Sequence, residues 1–498
     1  MVVTQIRRDL WRLVIFGFIL VVGADTGLIS QEILVSDNSG IESELSITIN
    51  PNDPTELIVT SMRTTSPIQV FSSSDSGLSW QQSTTFNDGL ADPVVTYGDN
   101  DTAYLTYLDF GASLELYLAE SMDNGANWTS KLLVLDSLAA DRQWIKRDNS
   151  SRSPFYGNIY IGYFHPQMGP DIHFVEIAPD GTVGPNQSVQ STNFPFVQNC
   201  ALDITDDGEI VICFLSQHAD NTFNIMSVNS TDGSNSFSSE VLVSPIHMYL
   251  ANGNPVTDVV GFAPGASSRL QNSLQMAIDK SNGPNRGRVY LTWTDFEAGN
   301  PQEGMNVYIS YSDNRGGTWS APQIVNDDGV PSSHQYFSGV TVNPNGVLVV
   351  SWYDRRSDPL SDSLTDFYLA YSLDGGASFE PSLQLNSESS DHNAVTNGLI
   401  TFGVGEYTTV AASETHAFAV WADGRSNDGN MAIYLNRVEL PDLGIKGDLN
   451  MDGAIDLLDV APFIAALASG EFVSAADISC DGSVNLLDVA PFVDLLSG

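Results

Sequence analysis

The chain has 498 residues, 42% hydrophobic and 10% aromatic, which is enough to fill a core and too apolar for a disordered acidic tail. Its 61 Asp+Glu stand against 19 Lys+Arg, a net charge of −42. A field of that sign repels phosphate backbones and anionic lipid, which excludes nucleic acid and membrane surfaces and leaves neutral or cationic ligands and Ca²⁺ as natural partners.

Residues 1–24 read as a secretion signal. Arg7, Arg8 and Arg12 precede the apolar stretch Leu13 to Val22, and Val22-Gly23-Ala24 offers a small-residue cleavage site. The apolar run is well short of the ~20 residues a membrane span needs, so no span is expected after signal removal. Residues 25–42 read as a linker, and the mature protein is expected outside the cell or at its surface.

Between residues 43 and 440 one phrase recurs: an apolar β-run, a tight turn, a second β-run often ending in an aromatic, a polar loop, a third run and a Gly-rich turn. The second run appears seven times, among them AYLTYLD at 103–109, VYLTWTD at 289–295, LVVSWYD at 348–354 and AFAVWAD at 417–423. Units of this size cannot bury both of their own faces, so they are expected to stack radially as the blades of an all-β propeller. Seven four-stranded blades are predicted. Six is the alternative, if the first and last units share one composite blade.

The Gly-rich turn is specific. Ser73-x-Asp75-x-Gly77-x-Ser79-Trp80, Ser121-x-Asp123-x-Gly125-x-Asn127-Trp128 and Ser372-x-Asp374-x-Gly376-x-Ser378-Phe379 share a pattern. Ser312 to Trp319 carries Asn314 for the Asp, and Ser230 to Phe237 has Ser234 for the Gly. These turns resemble the Asp box of sialidase-like (BNR) propellers, found in sialidases, in some xyloglucan-cleaving glucanases and in non-catalytic propellers. The resemblance implies architecture rather than chemistry: Asp accepts backbone N–H groups, Gly permits a positive φ, and Trp plugs the blade.

Chemistry is expected on the face where the second-strand loops open. Arg63, Asp109, His165, Asp295, Asp354-Arg355-Arg356 and Asp423-x-Arg425 lie in or next to those loops, and Glu406-Tyr407 sits at the start of the innermost strand of unit seven, where adjacent side chains would point to opposite faces. Glu406, Tyr407, Asp354 and Arg355 are the candidate catalytic residues. The repeated Trp-x-Asp-x-Arg phrase reads equally as a pairing device at blade junctions. A sialidase grips its substrate with three arginines and uses a Tyr nucleophile assisted by Glu. Arg63, Arg269 and Arg355 are the arginines to weigh for that grip, and no phrase carries them over. The insertion from Ser244 to Arg269 reads as a lid or as a passive surface excursion. Cys200 and Cys213 flank the turn Asp206-Asp207-Gly208. A two-residue loop, the register expected here, would set them opposite one another and within reach of a disulfide, whereas a three-residue loop with a Gly bulge would shift the register and separate them.

Residues 441–498 carry a duplicated loop. Asp448, Asn450, Asp452, Asp456 and Asp459 take positions 1, 3, 5, 9 and 12, with Gly453 at the sharp turn and Ala454 at position 7, where a backbone carbonyl serves. Asp477, Ser479, Asp481, Ser483, Asn485 and Asp488 repeat the pattern 29 residues later. A hard cation needs six to eight oxygens around one point, and this spacing supplies them, so two Ca²⁺ are expected. Both loops run into Leu-Leu-Asp-Val-Ala-Pro-Phe, and Asp replaces the usual Glu at position 12. The pattern resembles the duplicated F-hand of dockerin modules, a small α-helical domain, and the resemblance implies a cohesin-like or cell-surface protein partner. Leu457-Leu458 and Leu486-Leu487 would then be recognition positions, unless they pair within the tail.

Two functions remain open at this point. One is a glycosidase of exo-sialidase-like type acting on extracellular glycans or polysaccharides. The other is a non-catalytic glycan- or protein-binding propeller anchored by its tail.

Overall fold

The computed structural model describes residues 29–63, 67–87, 89–109, 115–128, 130–135, 140–165, 170–247, 273–296, 304–330, 332–359, 363–395 and 405–441, and in the tail 446–450, 455–469, 474–476, 478–479 and 484–497. The expected signal at 1–24, most of the insertion at 244–269, and Asp452, Ala454, Asp477, Cys480, Asp481 and Ser483 lie outside the described residues.

Seven antiparallel sheets follow one another along the chain. Their innermost strands are Glu42–Ile49, Gly89–Tyr97, Asp141–Arg147, Phe196–Ile204, Gln275–Ile278, Gln335–Val342 and Val410–Ala412. The seven apolar runs picked out by sequence are the second strands, buried on both faces because each lies between two neighbours within its own sheet and between two adjacent blades. The fold is a seven-bladed β-propeller.

The seventh blade is composite. Its outermost strand is Ile33–Leu34, pairing Ile33 with Leu435 and Leu34 with Tyr434. From Ile29 onward the segment expected as a linker therefore closes a blade, and the composite blade completes a seventh sheet rather than reducing the ring to six. Buried Val35 donates to Ile433 O at 2.8 Å, Ser36 Oγ accepts from Ile433 N at 2.9 Å, and Glu32 pairs with Arg425. Burying a Val contributes about 1.5 kcal/mol and each backbone bond about 1 kcal/mol net. Deleting residues 25–36 is expected to lower stability by about 3 kcal/mol, read from the urea midpoint.

The five Gly-rich turns share two bonds, one to the first Ser hydroxyl and one to the Asp or Asn side chain. In the first, Gly77 N donates to Ser73 Oγ at 2.9 Å, Ser79 N to Asp75 Oδ1 at 2.9 Å and Trp80 Nε1 to Gly77 O at 3.0 Å. That indole bond recurs at Trp128, whereas Trp319 donates to Ser227 Oγ instead. Gly77 has φ +77°, and where the glycine is lost Ser234 itself adopts φ +70° while its hydroxyl donates to Glu176 at 2.6 Å.

The cysteine register follows the three-residue loop. Asp206-Asp207-Gly208 closes with Gly208 at φ +83°, and Ala201, not Cys200, lies opposite Cys213. Both cysteines are free and buried. A one-residue shift sends the two thiols to opposite faces of the blade, so the expected adjacency is corrected.

In the tail, the helices Val460–Ser469 and Val489–Ser497 meet through Phe463 and Phe492, whose rings stack at 4.0 Å. No helix among the described residues is long and apolar enough to cross a membrane.

Candidate functional site

Each innermost strand turns an unpaired edge toward the channel, and its N–H groups need acceptors. A polar side chain of the neighbouring blade supplies several of them. Thr409 Oγ1 accepts from Ile47 N at 2.8 Å, Ser46 Oγ from Val95 N at 3.1 Å and Asp203 Oδ2 from Ile278 N at 3.1 Å. Nearer the second-strand-loop mouth the same task falls to carboxyl groups: Glu44 accepts from Asp92 N at 3.3 Å, and Asp92 from Arg142 N at 2.9 Å.

These residues sit on bulges. Blades one, two, three, four and six each break register near the start of the innermost strand. There Glu44, Asp92, Arg142, Asn199 and Phe337 adopt φ between +49° and +57°. A non-glycine residue in this region costs about 1–2 kcal/mol, and the bulge re-aims its side chain. Because Phe337 shares the geometry, the bulge is architectural. What distinguishes this mouth is the chemistry placed on it.

Four charged side chains converge there. Glu44 and Asp92 share a side-chain hydrogen bond. Arg142 Nη1 donates to Glu406 Oε2 at 2.7 Å, and its guanidinium lies 5.5 Å from the centre of the Tyr407 ring. All four retain 3–6% exposure. Burial, then the charges of Asp92 and Glu406, hold Glu44 well above the usual carboxylate range. Burial and Glu406 also raise Asp92. Burial opposes the charge on Arg142, but Glu406 and Asp92 overcome it and keep the guanidinium protonated. The arrangement is a carboxyl pair whose full ionisation is disfavoured, beside an ion pair.

The predicted residues divide. Glu406 and Tyr407 reach this cluster from the irregular segment ahead of the strand Val410–Ala412, so the alternation expected of a strand does not apply to them. Tyr407 is buried, donates from its hydroxyl to Pro93 O at 3.2 Å, and is held well above the usual phenol range by burial. Asp354 is fully buried, accepting from Trp352 Nε1 and from Arg356 N, both at 2.8 Å. Arg355 is fully buried, with Nε on Thr365 Oγ1 at 3.2 Å. Blade seven repeats the Asp354 device with Trp421, Asp423 and Arg425, and Arg356 and Arg425 lie over Tyr368 and Tyr434. Asp295 accepts from His247 N at 2.9 Å, and Arg63 pairs with Glu42 and Asp37.

Sequence reasoning passed over Glu44, Asp92 and Arg142. A signal existed: each stands four residues before a polar residue of its strand, Thr48, Thr96 and Lys146.

The tail builds its two loops alike. Asp459 accepts from Leu449 N at 2.7 Å, Asn450 N at 3.0 Å and Asp456 N at 2.8 Å. Asp488 accepts from Ser479 N at 2.7 Å and Asn485 N at 2.8 Å. Each carboxylate thus ties the start of its loop to its end. The donors there are oxygens, with Asp448, Asn450, Asp456 and Asp459 in one loop and Ser479, Asn485 and Asp488 in the other, which fits a hard cation. Leu457, Leu458, Leu486 and Leu487 are 80%, 64%, 83% and 65% exposed, so pairing within the tail does not account for them. Residues 446–491 match the family described as Dockerin type I domain. The tail is a dockerin. Dockerin type I domains generally bind calcium, and the exposed leucine pairs of this one are related by its internal duplication.

No curated protein matches the chain. Among solved structures it is similar to a Hadza microbial sialidase at 13% identity, over 77% of this chain and 73% of that one, with a TM-score of 0.42. It is also similar to the alpha-L-arabinofuranosidase Arb93A of Fusarium graminearum at 12% identity, over 83% and 99%, with a TM-score of 0.43. The alpha-L-arabinanase of Penicillium chrysogenum matches at 10% identity, over 82% and 98%, with a TM-score of 0.42. Likenesses this loose add nothing to what the topology of the propeller already gives.

Proposed function

We propose that the chain is a secreted, carbohydrate-active protein whose propeller hydrolyses glycosidic bonds at the second-strand-loop mouth of its channel. The observation behind this reading is the Glu44–Asp92 acid pair beside Arg142–Glu406. Ser46 and Thr409 cap edge N–H groups as neutral hydroxyls, so capping alone does not call for buried carboxyls. A carboxyl that holds its proton above the usual carboxylate range is what protonation of a leaving glycosidic oxygen requires. Glu44 and Asp92 share one proton and act as a single acid. Glu406, held by Arg142, is the carboxylate left for the opposite role.

The sialidase-like form of this reading asks for three arginines at the mouth. Arg142 is the arginine of the described cluster there, and it is bound to Glu406. Arg63 and Arg355 are engaged elsewhere, and Arg269 lies outside the described residues. Neutral glycans therefore suit the mouth better than sialosides. Incubating the full chain with aryl glycosides, sialosides included, and with polysaccharides tests the proposal. Cleavage of a neutral substrate supports it. Glycan binding without cleavage of any substrate favours the second reading, a non-catalytic binding propeller.

In the same proposal the dockerin holds two Ca²⁺, through Asp448, Asn450, Asp452, Ala454, Asp456 and Asp459 and through Asp477, Ser479, Asp481, Ser483, Asn485 and Asp488. Its exposed leucine pairs meet a cohesin-like partner. Calorimetry on the chelated protein is expected to give two Ca²⁺ per chain, with a gain in helical circular dichroism as carboxylate repulsion is relieved. No uptake, or an unchanged spectrum, contradicts the calcium sites.

A further inference from the structure

The opposite mouth of the channel carries a different chemistry. A cavity of about 250 Å³ opens there, lined by the innermost strands of all seven blades. Around it stand Thr48, Thr96, Lys146, Asp203, Lys280 and Thr341. Four of these come from the bulged strands four residues past Glu44, Asp92, Arg142 and Asn199, and Thr341 stands likewise past Phe337.

The charge of this ring opposes that of the molecule. The chain has four lysines, Lys131, Lys146, Lys280 and Lys446, in a background of −42, and two of them meet here. Lys280 Nζ donates to Asp203 at 3.3 Å, and Lys146 Nζ stands 3.8 Å from the same carboxylate. Burial works against ionised Asp203, but the two ammonium groups hold it below the usual carboxylate range. Asp203 also accepts from Ile278 N and Ile204 N, so its oxygens are well used. The lysines are not. Each ammonium has three N–H donors, and their side chains remain 31% and 44% exposed at the mouth. The hydroxyls of Thr48, Thr96 and Thr341 make no side-chain hydrogen bond within the described protein. One net positive charge, unspent N–H donors and three hydroxyls therefore line a cavity the size of one small polar molecule.

We propose that this mouth is a second ligand site, distinct from the carboxyl cluster, that takes a small hydroxylated carboxylate of the sugar-acid class. Its carboxylate bridges Lys146 and Lys280, and its hydroxyls meet Thr48, Thr96 and Thr341. The site does not depend on whether the other mouth is catalytic.

The four lysines supply the test. The full chain is acetylated with limiting reagent in the presence of D-glucuronate or D-glucose, and each lysine is followed by mass spectrometry. Glucuronate is expected to slow labelling of Lys146 and Lys280 at least fivefold while leaving Lys131 and Lys446 unchanged. Equal labelling with and without glucuronate overturns the proposal, and so does equal protection by glucose. By calorimetry, Lys146→Gln and Lys280→Gln should each weaken glucuronate at least tenfold, the loss of one charge-assisted bond. Thr96→Val keeps both ammonium groups and should weaken it two- to tenfold, which provides a second reading if a lysine variant fails to fold. Unchanged affinity in the folded variants overturns the assignment of the site.

Discussion

Replacing Arg142 by methionine is expected to destabilise the propeller by about 3–5 kcal/mol, the usual result of removing one partner of a buried ion pair. The reason is local. Arg142 is the cation that faces Glu406, Asp92 and Glu44. Without it three carboxyl groups share a site that excludes most water, and their repulsion is relieved only by taking up protons. The deficit should therefore grow as pH rises from 5 to 8, which urea titrations at the two pH values would show. Arg142→Lys keeps the charge but loses the planar fork, and an intermediate loss is expected. A deficit below about 1 kcal/mol at pH 8 would mean that the ion pair contributes little.

Glu44→Gln should separate chemistry from architecture. On whichever glycoside the protein cleaves, the loss of a general acid is expected to cost about 10²–10⁴-fold in kcat. Stability should move the other way. Burial, with Asp92 and Glu406, raises the Glu44 carboxyl, so the folded state binds a proton that the unfolded state releases near the ordinary glutamate value of ~4.3. The stability from this group is fully present below that value and falls as pH rises through the folded pKa. The glutamine variant cannot lose that proton. It should melt with a flatter pH profile, above the parent at pH 8 and closer to it near pH 4. Full activity with a flattened profile would leave Glu44 as an edge cap and remove it from the reaction.

The blades were legible in the sequence because each needs a doubly buried second strand and a turn of fixed chemistry. LVVSWYD at 348–354 and Ser372 to Phe379 each declare their role locally. The cluster was not, because it is made by convergence: Glu44, Asp92, Arg142 and Glu406 come from four blades and share no phrase. The repetition of Trp-x-Asp-x-Arg drew attention to Asp354 and Asp423, whose burial and paired donors suit a junction between blades. The cysteines turned on one residue of loop length. Asp206-Asp207-Gly208 admits either register on paper, and Gly208 in the left-handed region selects the longer loop.

The clasp between Ile33 and Leu435 also has a consequence in time. The two residues are separated by 435 − 33 = 402 positions. Ring closure must therefore wait until the last strand of the propeller, Ala432–Glu439, has been synthesised. Until then blade seven exposes a raw edge and the N-terminal segment has no partner. A nascent chain can complete its early blades as they emerge, but the ring is sealed only once Ala432–Glu439 has emerged, by a segment that precedes every blade. For a chain delivered across a membrane, that segment also reaches the far side first. It must stay extended and uncommitted there while every later blade arrives.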